Sequence, residues 1–168
     1  MKKLLTVSML FLAFLTYAQE QVTIKFNESE ISSKNLSLSP NWNVTMNGQT
    51  INLTQGRITN ALNIESRNLY LSYYITNTPV ELKSGAFNGY LLSEIPIRPI
   101  SRNSSIIGVN IESILSFIPK DGDYYQLLVL SEENGTIKDI LQLPRFIRVL
   151  NNKITLVNPV TEIAQAEI

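Results

Sequence analysis

The chain has 168 residues, 14 basic and 14 acidic, with neither cysteine nor histidine. It therefore has no disulfide, no thiolate or imidazole metal ligand, and no Ser–His–Asp or Cys–His catalytic set. A net charge of zero offers no basic excess against a phosphate backbone, so nucleic acid is not an expected partner.

In chain order, Met1 to Ala18 comes first. Lys2 and Lys3 form a positive start, Leu4 to Leu15 an apolar run, and Thr16-Tyr17-Ala18 an end with small residues at the cleavage positions. This pattern predicts a secretory signal-peptide helix, with the mature chain starting near Gln19. The run is shorter than the roughly 20 apolar residues of a membrane span, and no later run approaches that length. No membrane span is expected in the mature chain, and its location is secreted, periplasmic or cell-surface. Cleavage removes two basic residues and no acidic one, leaving a net charge of −2. Residues 19–158 make one domain of ordinary size, and 159–168 a small polar tail expected to be flexible.

The mature sequence is punctuated by Asn, Gly, Asp and Pro between short alternating runs, which is the signature of strands and turns. Val22–Phe26 suits an edge strand. Leu36–Ser39 follows. Asn43–Thr45 and Thr50–Leu53 flank Asn47-Gly48, a dipeptide suited to a type I′ hairpin. Arg57–Leu62 continues the pattern. Asn68–Thr76 puts Leu69, Leu71, Tyr73 and Ile75 on one face, and Tyr70, Ser72, Tyr74 and Thr76 on the other. Tyr90–Ile97 and Ile106–Ile111 come next. Pro119 to Asp123 reads as a turn. Tyr124–Leu130 contains Leu127-Leu128-Val129-Leu130, apolar on both faces and so expected mid-sheet with both sides covered. Asn134-Gly135 turns into Thr136–Leu141. Pro144 precedes Phe146–Leu150, and Asn151-Asn152 offers a last hairpin into Ile154–Val157. Turn signals every 8–12 residues or so predict an all-β antiparallel fold, a sandwich or a barrel, and a sandwich of seven to ten strands is expected.

Two stretches carry a family resemblance. Leu69-Tyr70-Leu71-Ser72-Tyr73-Tyr74 leads to Phe87-Asn88-Gly89-Tyr90-Leu91-Leu92-Ser93-Glu94, and later to Pro119-Lys120-Asp121-Gly122-Asp123-Tyr124-Tyr125-Gln126-Leu127-Leu128-Val129-Leu130-Ser131-Glu132. Their order resembles the small immunoglobulin-like sandwich modules, fibronectin-III-like or CARDB-like, of bacterial secreted and surface proteins. It spans Leu36 to Phe146. The resemblance implies a fold, not a ligand. A turn followed by a tyrosine at the start of a late strand suits a tyrosine corner, with Tyr124 or Tyr125 as candidate; alternation does not choose between them.

Other constellations have plain structural readings. Asp121-Gly122-Asp123 resembles the start of a calcium loop, but the later acids Glu132 and Glu133 lie across a strand, and a turn is expected. Glu94 and Glu112 are candidates for a glycosidase acid–base pair only if they face each other. Six Asn-x-Ser/Thr sequons begin at Asn27, Asn35, Asn43, Asn52, Asn103 and Asn134, as an Asn-, Ser- and Thr-rich composition produces. Trp42, Tyr70 and Tyr74 are the candidate ligand-contact residues, as an exposed aromatic platform for a glycan or peptide. No catalytic, cofactor or metal residue is assigned. The expected function is a secreted, non-enzymatic module that binds a protein or glycan partner. The alternatives are an adhesin or fibre subunit pairing through edge strands, a lipocalin-like carrier, and a carboxylate-based hydrolase.

Overall fold

The computed structural model describes residues 20–158; the segment expected to be a signal peptide and the tail expected from residue 159 lie outside the described residues. Ten strands and one short helix appear in the order β1 (Val22–Lys25), α1 (Glu28–Ser33), β2 (Leu36–Leu38), β3 (Asn43–Asn47), β4 (Thr50–Asn60), β5 (Leu69–Thr76), β6 (Ala86–Ile97), β7 (Ser104–Ile114), β8 (Gly122–Glu132), β9 (Ile137–Leu150) and β10 (Lys153–Val157). All pairings are antiparallel. The larger sheet has the order β1-β6-β5-β8-β9-β10. In the smaller one β4 is the spine: β2 and β3 pair with its two halves along one side, and β7 runs along the other.

The strands are longer than the sequence pattern predicts because two apparent breaks are bulges. Gly56 interrupts the pattern, yet β4 runs through it, with register shifts on either side of Gly56 and Gln55 at φ 63. Pro144 likewise lies inside β9. There Gln126 stands opposite Leu143-Pro144-Arg145, because Leu127 pairs with Gln142 and Tyr125 with Phe146. Proline has no N–H to give to the ladder. The Gln126 amide fills part of the gap, donating to the Arg145 carbonyl at 2.7 Å and accepting from the Tyr73 hydroxyl at 2.6 Å. The shift is two residues, so alternation survives it.

The turns follow their chemistry. Asn151 and Asn152 both have positive φ (50 and 60), the type I′ pattern, between Leu150 and its partner Lys153. The earlier hairpin departs from expectation. Asn47 pairs with Thr50, so the loop is Gly48-Gln49; Gly48 has φ 59, and Gln49 is not among the positive-φ residues. One positive φ at the first loop position is the type II′ pattern. Pro119 to Asp123 is not a turn throughout: Gly122 and Asp123 already belong to β8. Helix α1 is an element the strand pattern does not anticipate. Asn27 caps it by accepting the Ser29 N–H at 3.0 Å.

The two sheets face each other across a core containing Trp42, Val44, Ile51, Leu53, Ile58, Leu69, Leu71, Tyr73, Ile75, Leu92, Leu128 and Ile147. They also meet at both margins. On one, Ser93 and Ser113 share a hydroxyl hydrogen bond of 2.6 Å, and the Ser116 N–H donates to the Leu92 carbonyl. On the other, buried Asp139 accepts from the Leu38 N–H at 2.8 Å and from Lys34 Nζ at 2.6 Å, and Arg145 Nη2 donates to the Val44 carbonyl. A second, smaller core covers part of the outer face of the larger sheet: Ile31 of α1 with Tyr74, Phe87, Leu127, Val129, Ile137 and Ile140. This is why β8 is apolar on both faces. Leu128 and Leu130 enter the inter-sheet core, Leu127 and Val129 the outer one, as expected of a central strand. β1 is an edge strand, also as expected. Tyr124 makes the corner: its hydroxyl donates to the Lys120 carbonyl at 2.8 Å. No helix among the described residues is long and apolar enough to cross a membrane.

Candidate functional site

The three aromatic residues singled out in the sequence do not form one platform. Trp42 is 6% exposed in the inter-sheet core, lying against the Gly56 backbone. Tyr74 is 8% exposed in the outer core, edge-on to Phe87 at 5.5 Å between ring centroids. The larger sheet separates them. Tyr70 is half-buried and lines a shallow cavity of about 290 Å³ with Asn68, Pro96 and Arg98. The proposed trio is therefore corrected: alternation places Tyr70 and Tyr74 on one face of β5, but the outer core covers that face at Tyr74.

The carboxylates also stand apart. Glu94 lies on the outer face of the larger sheet, where it accepts from the Ser72 hydroxyl at 2.9 Å. Glu112 is an exposed residue of β7 in the other sheet, beside Asn52. Its neighbours in β7, Ile111 and Ser113, pair with buried Leu53 and Ile51, so Glu112 faces away from the inter-sheet core. An acid–base pair must flank one bond, and these two acids lie on opposite outer faces. Asp121 accepts from the Asn151 N–H at 3.1 Å, and Asp123 is bound by Arg148. Among the described residues no group of three or more acids is placed to hold a metal ion.

A different aromatic surface forms where the outer core ends. Along β8 the outer-facing residues run Val129, Leu127, Tyr125, Asp123. Along β9 their partners run Ile140, Gln142, Phe146, Arg148. The first two pairs lie at the covered end of the face. The last two remain accessible: Tyr125 and Phe146 meet edge to face at 4.7 Å between ring centroids. Beyond them Asp123 and Arg148 form a two-pronged ion pair, Nε to Oδ1 and Nη2 to Oδ2, both 2.7 Å. That fork holds the Asp123 carboxyl below its usual range and raises the Arg148 guanidinium. β10 completes the floor, with Val157 beside Phe146 and Thr155 beside Arg148. The resulting cavity, about 350 Å³, is lined by Asn77, Asp123, Tyr125, Phe146, Arg148, Val157 and Asn158.

The bulge in β9 is what aligns this surface, since it brings Phe146 opposite Tyr125 and Arg148 opposite Asp123. Asn77, which follows the end of β5, also lines a neighbouring cavity of about 520 Å³ beside Pro79, Glu81, Phe87 and Asn88. The two cavities thus adjoin along one end of the outer face. A signal for this site is present in the sequence. Asp123-x-Tyr125 and Phe146-x-Arg148 are two i, i+2 pairs whose order makes aromatic meet aromatic and acid meet base when the strands pair antiparallel.

Compared with known proteins, the chain matches no protein-family model and no curated protein.

Proposed function

We propose that this chain is an exported, non-enzymatic binding module that holds a protein or glycan partner in the groove floored by Tyr125 and Phe146. The observation that carries the reading is that aromatic pair, accessible among the described residues beside the part of the sheet face that α1 and the segment around Val80 cover. Accessible aromatics flanked by a few polar groups are the usual make-up of a recognition surface. Export rests on the signal-peptide pattern of Met1 to Ala18. Kinship with fibronectin-III-like or CARDB-like modules belongs to the same proposal, supported by the two antiparallel sheets and the Tyr124 corner. Against a lipocalin-like carrier stands the filled space between the sheets; against a carboxylate hydrolase stands the separation of Glu94 from Glu112.

The test is binding of wild type and Tyr125→Ala to glycan and peptide arrays, with melting temperatures measured in parallel. Loss of the wild-type signals in a variant that keeps its melting temperature supports the groove. Signals that persist unchanged overturn it.

One observation favours a second reading, assembly through an edge strand. β7 has eleven residues, pairs on one side with β4, carries Glu112 as its one charged residue, and exposes Ile107 and Ile114 at 71% each. Native sheets usually protect such edges with Lys, Pro or a bulge. Here the Gly108 irregularity (φ 69) is the one such device. An assembling subunit shows a sedimentation coefficient that rises with concentration and falls back in Ile107→Lys. A constant monomer value removes this reading.

A further inference from the structure

We infer that the groove takes a neutral, polyhydroxylated chain, a glycan segment without carboxylate or ammonium groups, laid against Tyr125 and Phe146. This rests on the reading of the groove as the contact surface. The argument is one of charge. The two ionised side chains in the cavity, Asp123 and Arg148, are already bound to each other through both prongs of the guanidinium fork. An anionic ligand would have to compete with Asp123 for Arg148, and a cationic one with Arg148 for Asp123. A neutral ligand leaves the pair intact.

The remaining polar groups fit hydroxyls. Asn77, Asn158 and Tyr125 all line the cavity, and none has a side-chain hydrogen bond among the described residues. Amides and phenols both donate and accept, as sugar hydroxyls do. Aromatic rings carry electron-rich faces, which attract the polarised C–H bonds of a sugar ring. A peptide docking by strand addition needs open backbone groups. The cavity instead lies on a sheet face, over β8 and β9, which are each paired on both sides; the open edge of β10 lies in the plane of the sheet rather than on that face. The cavity across Asn77 extends the site for further sugar units, and its one carboxylate, Glu81, accepts from hydroxyls while repelling acidic sugars.

The experiment titrates the protein by calorimetry and heteronuclear NMR with cellohexaose, xylohexaose, mannohexaose and fully N-acetylated chitohexaose, and with oligogalacturonate as acidic comparator. The expected result is binding of at least one neutral hexasaccharide at about 5 mM or below, weaker or absent binding of the acidic chain, and amide shifts centred on Asn77, Tyr125 and Phe146. Tyr125→Ala lowers that affinity about tenfold, and Asn77→Ala lowers it while leaving the strands untouched. If no neutral hexasaccharide binds, or the acidic chain binds best, the ligand class is wrong. The groove itself then stands only if an array partner of another class depends on Tyr125. If a sugar binds but ignores both substitutions, the ligand class and the groove fail together.

Discussion

Trp42 and Gly56 form the clearest single-residue lock. A Cβ built on Gly56 falls 2.4 Å from three atoms of the Trp42 ring. Gly56→Ala therefore forces the indole to move within the packed inter-sheet core. Overpacking of this kind costs about 1–3 kcal/mol, to be read as a lower denaturation midpoint at unchanged slope. A midpoint equal to wild type would show that the ring has room to shift. The Asp123–Arg148 pair makes a pH prediction. Asp123 is held below its ordinary range, so the pair is fully present above about pH 5 and is lost as pH falls through the lowered value. Partner binding in the groove is expected to be constant between about pH 5 and 9 and to change only in more acidic solution. A transition near neutrality would mean that another group governs the site. Trp42 itself was readable as an aromatic of interest, but alternation does not reveal whether an aromatic is covered, and here it is.

Strand β8 is the element on which both cores depend. From Leu127 to Leu130 its two faces feed different clusters, so neither tolerates a charge there. Leu128→Asp places an unpaired carboxylate in a fully buried position, a cost of several kcal/mol against a total stability of about 5–15 kcal/mol. The expected outcome is loss of the β-sheet circular dichroism signal at 25 °C. Retention of the wild-type melting temperature would refute the central placement. This strand was legible in the sequence because four consecutive apolar residues leave no solvent face. The long strands β4 and β9 were not. Gly56 and Pro144 carry the local signals of chain breaks, and whether a break or a bulge results depends on partners far away in sequence: Trp42 over Gly56, Gln126 opposite Pro144. Helix α1 carried a modest signal, Asn27 followed by Glu30 three residues on, the spacing of a capping box. At six residues it is too short for helical periodicity to register.

At the scale of the molecule, the larger sheet is a layer with two differently used sides. One side packs against the smaller sheet. The other is covered in part by Ile31 and the segment around Val80, and among the described residues it is open around Tyr125 and Phe146. The cover ends before the aromatic pair, and that boundary defines the groove. If the function is recognition there, array binding should follow Tyr125. If it is assembly, sedimentation should follow Ile107. The two experiments probe separate sheets, so the outcome of one does not prejudge the other.

Much of this architecture is local information. Alternation, turn dipeptides and the lack of histidine and cysteine suffice for an all-β antiparallel chain without imidazole or thiol chemistry. They also suffice for a tyrosine at the head of a late strand and a strand buried on both faces, because backbone geometry and side-chain type act over a few residues. The groove is of another kind. Alternation says which side chains share a face, never whether that face is covered, and cover is supplied by segments from elsewhere in the chain, such as α1 and the segment around Val80. Ile31 joins Ile140 in the outer core, and among the described residues nothing comparable reaches Tyr125 and Phe146. Exposure, and with it the candidate site, is a property of that long-range packing.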